Sequence, residues 1–109
     1  MRQRKVASFL TRKLSEMILA GEIEGITGIV TITRVDVSGD LRHANVWFSS
    51  LKQDPENVLS VFRRNLFDIQ GQLFEDSTMR IMPKVNFRID HSTIYSDHIN
   101  RLLSKLNDE

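Results

Sequence analysis

Asp90-His91-Ser92 and, a few residues later, Ser96-Asp97-His98 bring together the side chains of a nucleophilic hydrolase within one short stretch. Such a site needs its members to converge from separate elements onto an oxyanion hole, and the chain has no nucleophile elbow and no Gly-rich phosphate loop. His91 and His98 make an equally poor metal site, because a third and fourth ligand at a defined spacing are missing. Asp90 instead has the place and type of a residue that ends a strand and caps the following turn. With no cysteine in 109 residues, disulfides, thiolate zinc, iron–sulfur ligation and a thiol nucleophile are all excluded. The residue types point to binding rather than turnover, and no cofactor or metal is implied.

The side chains suited to binding are cations. Fifteen Lys and Arg against fourteen Asp and Glu give a net charge of only +1, but the charges are not evenly spread. Residues 1–14 carry Arg2, Arg4, Lys5, Arg12 and Lys13 with no acid, whereas acids gather at Glu22 and Glu24, Glu75 and Asp76, and Asp108 and Glu109. A pooled basic segment is either a solvated helix face or a surface for a polyanion.

The elements that must carry these residues follow from periodicity. Val6, Phe9, Leu10, Leu14, Met17 and Ile18 recur every three or four residues and predict an amphipathic first helix stopped by Gly21. The β-branched run from Ile29 to Val37 predicts a strand whose apolar parity slips between Ile32 and Val35, through a bulge or through burial on both faces. After the turn residues Ser38-Gly39-Asp40, the alternation of Ala44, Val46 and Phe48 with His43, Asn45 and Trp47 predicts its antiparallel partner. Asp54-Pro55-Glu56 opens a helix whose apolar period runs on through Leu73, with a kink expected near Asn65 or Gly71. Residues 79–90 predict a third strand, with Ile81, Val85, Phe87 and Ile89 on one face and Arg80, Met82, Lys84, Asn86 and Arg88 on the other; Pro83 implies an edge position or a bulge. Ile99, Leu102, Leu103 and Leu106 mark a short last helix. This α+β order, α-β-β-α(kinked)-β-α, predicts a three-stranded sheet with helices on one face. The open face then carries His43, Asn45, Trp47, Arg80, Lys84 and Arg88, cations beside an aromatic of the kind that holds nucleic acid, unless Trp47 packs beneath a loop or the last helix.

Three separated segments carry a family resemblance. Arg4-Lys5-Val6-Ala7 with Leu14-Ser15-Glu16-Met17-Ile18, the stretch from Val30 through Asp40-Leu41-Arg42-His43-Ala44-Asn45-Val46, and Arg80, Pro83, Val85, Phe87, Asp90 and Ser92 occur in the order and spacing of the ribosome-binding factor A family, which the chain resembles over nearly its whole length. The resemblance implies a type II KH-like fold and one RNA-binding domain over residues 1–109. It implies a factor for late maturation of the small (30S) ribosomal subunit that binds 16S ribosomal RNA and promotes its processing without catalysis. The implied partners are free 30S subunits, with assembly GTPases acting nearby. The expected RNA-binding residues are Arg4, Lys5, Arg12, Lys13, Arg42, His43, Arg63, Arg64, Arg80, Lys84 and Arg88. Asn65-Leu66-Phe67 stands where that family carries an Ala-x-Gly kink, and Glu24-Gly25-Ile26-Thr27 where it carries Asp-Pro-Arg. Gly25-Ile26-Thr27-Gly28 spells a backbone-clamping GxxG, but it lies between helix and strand rather than between two helices, and reads as a turn.

A protein-interaction module and, last, a small RNA-processing enzyme are the competing expectations. No run reaches the roughly 20 apolar residues of a membrane span, and the basic start leads into an amphipathic segment rather than a secretion signal, so a location in the cytoplasm is expected; the chain is expected to be a monomer.

Overall fold

The computed structural model describes residues 2–92. Helix α1 spans Arg2–Leu19 and buries Val6, Leu10, Leu14 and Met17, the stripe its spacing predicts. It ends as a glycine-terminated helix should: Gly21 takes a φ of +70°, its N–H donates to Ile18 O, and the Glu22 N–H donates to Met17 O. Strand β1 (Ile29–Val37) pairs antiparallel with β2 (His43–Leu51), and β3 (Lys84–Ile89) pairs parallel with β2, giving the order β1-β2-β3. Helices α2 (Pro55–Arg64) and α3 (Leu66–Glu75) lie between β2 and β3 in sequence. This α-β-β-α-α-β succession with a mixed sheet is the type II KH-like arrangement. The last helix expected around Leu102 lies outside the described residues.

One face of the sheet is dry. Ile32, Ala44, Val46, Phe48, Val85 and Phe87 point into a core shared with Leu10 and Leu14 of α1, Val58 and Phe62 of α2, and Ile69 and Leu73 of α3. Phe62 is its pivot: its ring meets Phe48 edge-on at 5.0 Å between centroids and stacks on Phe87 at 4.2 Å. Both geometries suit the aromatic quadrupole.

The parity slip in β1 is a bulge. Ile32 faces Phe48 and Arg34 faces Trp47, so Thr33 is the extra residue and Val35 returns to the core side opposite Val46.

The long apolar period after Asp54 breaks into two helices at Asn65, while Gly71 sits inside α3. The Asn65 amide donates to Val61 O at 2.8 Å, an acceptor at the end of α2, and to Glu24 O at 3.3 Å, which ties the break to the turn before β1. That turn is organised by Gln53: its Oε1 accepts from the N–H groups of Thr27 and Gly28, and its Nε2 donates to Gly25 O. A Cβ on Gly28 would sit 2.4 Å from Leu51 O, so the backbones meet too closely there for any other residue.

The third strand is shorter than its pattern predicts. Ladder pairing starts only at Lys84, opposite His43, because β2 itself begins there. Before it, Gln70 of α3 binds the chain as a neighbouring strand would, donating to Pro83 O and accepting from Val85 N–H. Pro83 is buried in place of Ile81, which is 58% exposed, and Arg80 lies ahead of the strand rather than on the sheet face. The Lys84 N–H points to β2 and the Val85 N–H away from it to Gln70, so the N–H that Pro83 lacks belongs to the outer edge of an edge strand, where a proline is tolerated.

Replacing Phe62 by alanine removes both ring contacts from the core and is expected to cost about 3 to 5 kcal/mol. Urea unfolding followed by circular dichroism measures it; a loss below 1 kcal/mol would show that the sheet and helices do not depend on this side chain.

Candidate nucleic-acid interface

The hairpin turn between β1 and β2 is built by Asp40. Its Oδ1 accepts from Ser38 Oγ at 2.7 Å and from the Arg42 N–H at 3.1 Å, and these hydrogen bonds, that from Ser38 foremost, hold the Asp40 carboxyl below its ordinary range. The turn puts Leu41 at a φ of +61° and sets Arg42 and His43 at the mouth of β2, with the His43 N–H donating to Ser38 Oγ. Leu41, with Val6, Met79 and Ile81, forms the apolar part of a groove of about 550 Å³ whose cations are Arg2, Lys5 and Arg80. Arg4 and Arg12 continue along α1 on either side of Ser8 and Phe9, with the Arg12 guanidinium 5.9 Å from the Phe9 ring centroid. At the same end of the molecule His43 faces Lys84 across the ladder, and the Lys84 N–H donates to Arg42 O.

Arg2, Lys5, Arg80, Arg42, His43 and Lys84 are thus gathered at the N-terminal end of α1 and the start of β2 and β3. Among the described residues the ion pairs are Lys13 with Asp76 at 2.7 Å and Arg34 with Asp36 at 3.5 Å, so none of these six is in a direct ion pair there, although the Asp40 carboxylate lies near enough to Arg42 to feel its charge.

The other expected residues are placed apart from this group. Lys13 joins α1 to Asp76 at the end of α3; hydrogen bonding to Asp76 raises the Lys13 pKa, and the same bond, aided by one from Gln72, lowers that of Asp76. Arg63 and Arg64 are exposed on the last turn of α2, where they complement the negative helix end, and Arg64 lies over Gly25. Close to them Glu22, Glu24 and Asp68 line a depression with Asn65 and Gln72. Arg88 belongs to the open sheet face, where its Nε donates to Asn45 Oδ1 at 3.2 Å.

Two cations at the interface escaped the pattern. Arg2 is recognisable only once Arg80 is known to approach α1. Arg34 faces outward only because Thr33 bulges, and its guanidinium stacks 3.9 Å from the Trp47 ring centroid. Among the described residues Trp47 is therefore covered by an arginine on the open face and not by a loop; the last helix, the other expected cover, lies outside them. On α3, Phe67 and Phe74 are exposed and line a second groove with Met82 and Lys84. Asp90 accepts from the N–H and hydroxyl of Ser92 and from Thr33 Oγ1, the capping role its position predicts, and His91 is exposed. No cluster of three or more His, Asp or Glu able to hold a metal occurs among the described residues.

The model of the ribosome-binding factor A family matches residues 2–103. The chain belongs to the ribosome-binding factor A family. It is 34% identical to ribosome-binding factor A of Natranaerobius thermophilus over 109 residues, 98% of this chain and 83% of that one. The crystal structure of ribosome-binding factor A from Thermus thermophilus superposes with a TM-score of 0.68 at 23% identity, over 80% of this chain and 94% of that one. A homology model of the Thermus protein fitted into a cryo-electron-microscopy map of a 30S complex has a TM-score of 0.65 at 24% identity, over 78% of this chain and 91% of the other. The helix break falls at Asn65, where the resemblance leads to the expectation of Ala-x-Gly, and the Asn65 amide supplies the tie described above.

The Lys13 to Asp76 pair gives a pH signature. Because the folded Asp76 pKa is depressed, its contribution is complete above the ordinary aspartate value of about 3.9 and is lost as pH falls through the depressed value. The raised Lys13 pKa acts at the other limit, with its contribution lost only as pH rises beyond the ordinary lysine value of about 10.4. Asp76→Asn is expected to be less stable than the wild type at pH 7 and to converge with it toward pH 2. A constant gap in urea midpoint across that range would remove the pair from the pH response.

Proposed function

We propose that the chain is an assembly factor of the small ribosomal subunit that binds 16S ribosomal RNA, favours one of its conformations during late maturation, and thereby promotes processing carried out by other factors. The observation that carries this reading is the groove at the N-terminal end of α1: Arg2, Lys5 and Arg80 surround an apolar strip, with Arg42, His43 and Lys84 beside them and no carboxylate in a direct ion pair with any of them among the described residues. Cations without internal partners release counterions when they meet phosphates, which is a source of affinity that needs no chemistry. The Thermus relative fitted into a 30S complex supports the small subunit as the target, and free 30S particles are the expected partner.

On this reading residues 1–109 work as one RNA-binding domain, a monomer in the cytoplasm, without a cofactor and without catalysis, and assembly GTPases act on the same particle. Arg63 and Arg64 form a separate contact at the helix break. No helix among the described residues is long and apolar enough to cross a membrane.

If about five phosphates are engaged, the logarithm of affinity falls with the logarithm of salt at a slope of about −3.5 to −4.5. Filter binding of 16S RNA between low and moderate salt measures this, and a salt-insensitive complex contradicts the proposal. The double reversal Lys5→Glu with Arg80→Glu is expected to weaken binding tenfold or more and to shift the protein off small-subunit particles in a density gradient. Arg63→Glu with Arg64→Glu tests the helix break separately, and wild-type affinity in that variant would remove it from the footprint. Co-sedimentation with protein partners that survives nuclease treatment, without RNA binding, would favour the protein-interaction reading.

A further inference from the structure

The open face of the sheet holds a second constellation, distinct from the α1 groove. The bulge at Thr33 aligns one residue from each strand in a single cross-strand row: Arg34 opposite Trp47, and Trp47 opposite Arg88. The adjacent row is Asp36, Asn45 and Asn86. Without the extra residue, Arg34 would point to the core side and its charge would be buried.

The row is held in place. Arg34 stacks on the indole, and Asp36 fixes its Nε at 3.5 Å. Asn45 Oδ1 accepts from both Arg88 Nε and Asn86 Nδ2, which leaves the Asn45 amide N–H groups without a partner among the described residues. Next to Arg34, Thr33 Oγ1 donates to Asp90 Oδ2 at 2.6 Å, a bridge from the first strand to the end of the third that passes over β2. The Arg34 side chain is 60% exposed, so one plane of its guanidinium rests on Trp47 while the group remains open to solvent.

We infer that this row is a stacking site for an unpaired nucleotide of RNA: the base lies on the exposed plane of Arg34, continuing the Trp47 stack, and Arg88 meets a neighbouring phosphate. The inference rests on the RNA-binding reading above and adds a second face to it. Bases splayed from single strands stack on arginine planes as readily as on aromatic rings, and the pre-stacked guanidinium has already lost part of its freedom. The unpartnered Asn45 amide offers donors to a base edge or ribose oxygen. Across two strand spacings, about 10 Å, Arg34 and Arg88 place two cations around one aromatic, with Asp36 as the counter-charge that orients Arg34. A carboxylate-bearing protein segment would use the charges but gain little from the exposed plane.

Trp47 is the single tryptophan, so its emission reports on this face alone. Titrating the full chain with a single-stranded RNA of about twelve nucleotides, a length such faces accommodate, is expected to quench that emission in step with binding. Arg34→Lys keeps the charge but removes the plane, and is expected to lower affinity about tenfold with an unchanged salt slope. Trp47→Leu is expected to lose a similar factor; thermal unfolding of both variants reports whether they fold as the wild type does. Saturation by RNA with no change in Trp47 emission, or wild-type affinity in Arg34→Lys, overturns the inference while the groove reading stands. A response to a ribosomal protein in place of RNA also overturns it and assigns the face to protein. Failure of the wild-type chain to bind any RNA overturns the groove reading and this one together.

Discussion

Phe62 sits between Phe48 of the central strand and Phe87 of the edge strand, and this packing decides which side of the sheet is dry. Once α2 is anchored under β2 and β3, α1 and α3 complete the same core, and every second residue of each strand is committed inward. The remaining residues must face water. His43, Asn45 and Trp47, with Lys84, Asn86 and Arg88, therefore share one surface as a consequence of where the hydrophobic partners lie, since side chains alternate along a strand. The polar face needs no stabilising contact of its own to exist, and its composition is free to serve binding.

Two small irregularities then adapt the regular frame. The bulge at Thr33 restores Val35 to the core after Ile32 while bringing Arg34 to the outer side, so one inserted residue serves packing and the outer row together. The break at Asn65 does something similar for the helices: a straight run of twenty residues, about 30 Å, would overshoot the sheet, whereas two helices of ten can place Val58 and Phe62 as well as Ile69 and Leu73 against it. In both places a polar side chain fastens the irregularity to a distant segment, Thr33 to Asp90 and Asn65 to Glu24.

The buried half of this architecture was legible in the sequence, because burial imposes a period. The α1 stripe, the alternation in β2, the Asp54 cap and the slip in β1 all express which residues must avoid water. The errors fall where another force takes over. Arg80 and Ile81 continue an alternating pattern, yet the ladder begins only at Lys84 because β2 itself begins at His43 opposite it, and on the outer edge Gln70 takes up Pro83 O and Val85 N–H as a further strand would. Choosing Asn65 over Gly71 as the break required knowing that the Asn amide meets Glu24 O, a residue 41 positions away in sequence. The surface half was less legible: cations could be enumerated, but Lys13 could not be seen to be engaged by Asp76, nor Arg2 to share a groove with Arg80, since nothing periodic links such pairs.

The near-zero net charge is compatible with the proposed binding of a polyanion because of where the charges sit. Helix α1 is 18 residues long, about 27 Å, and its two ends differ in sign. At its N-terminus Arg2 and Lys5 join Arg80, while past its C-terminus Glu22 and Glu24 join Asp68 around a depression. A neutral chain polarised in this way feels a torque in the field of a phosphate-rich surface: the basic end is drawn in and the acidic end turned away before any contact forms. The Lys13 to Asp76 pair lies between the two ends and is internally neutral, so it stitches α1 to α3 without blurring that polarity. Arg63 and Arg64, beside the acidic depression, stand outside this division, and a polyanion reaching them would have to pass the carboxylates. On electrostatic grounds the basic end of α1 would meet the RNA of the proposed function first, and a contact at the helix break would follow only after the molecule had been oriented by that encounter.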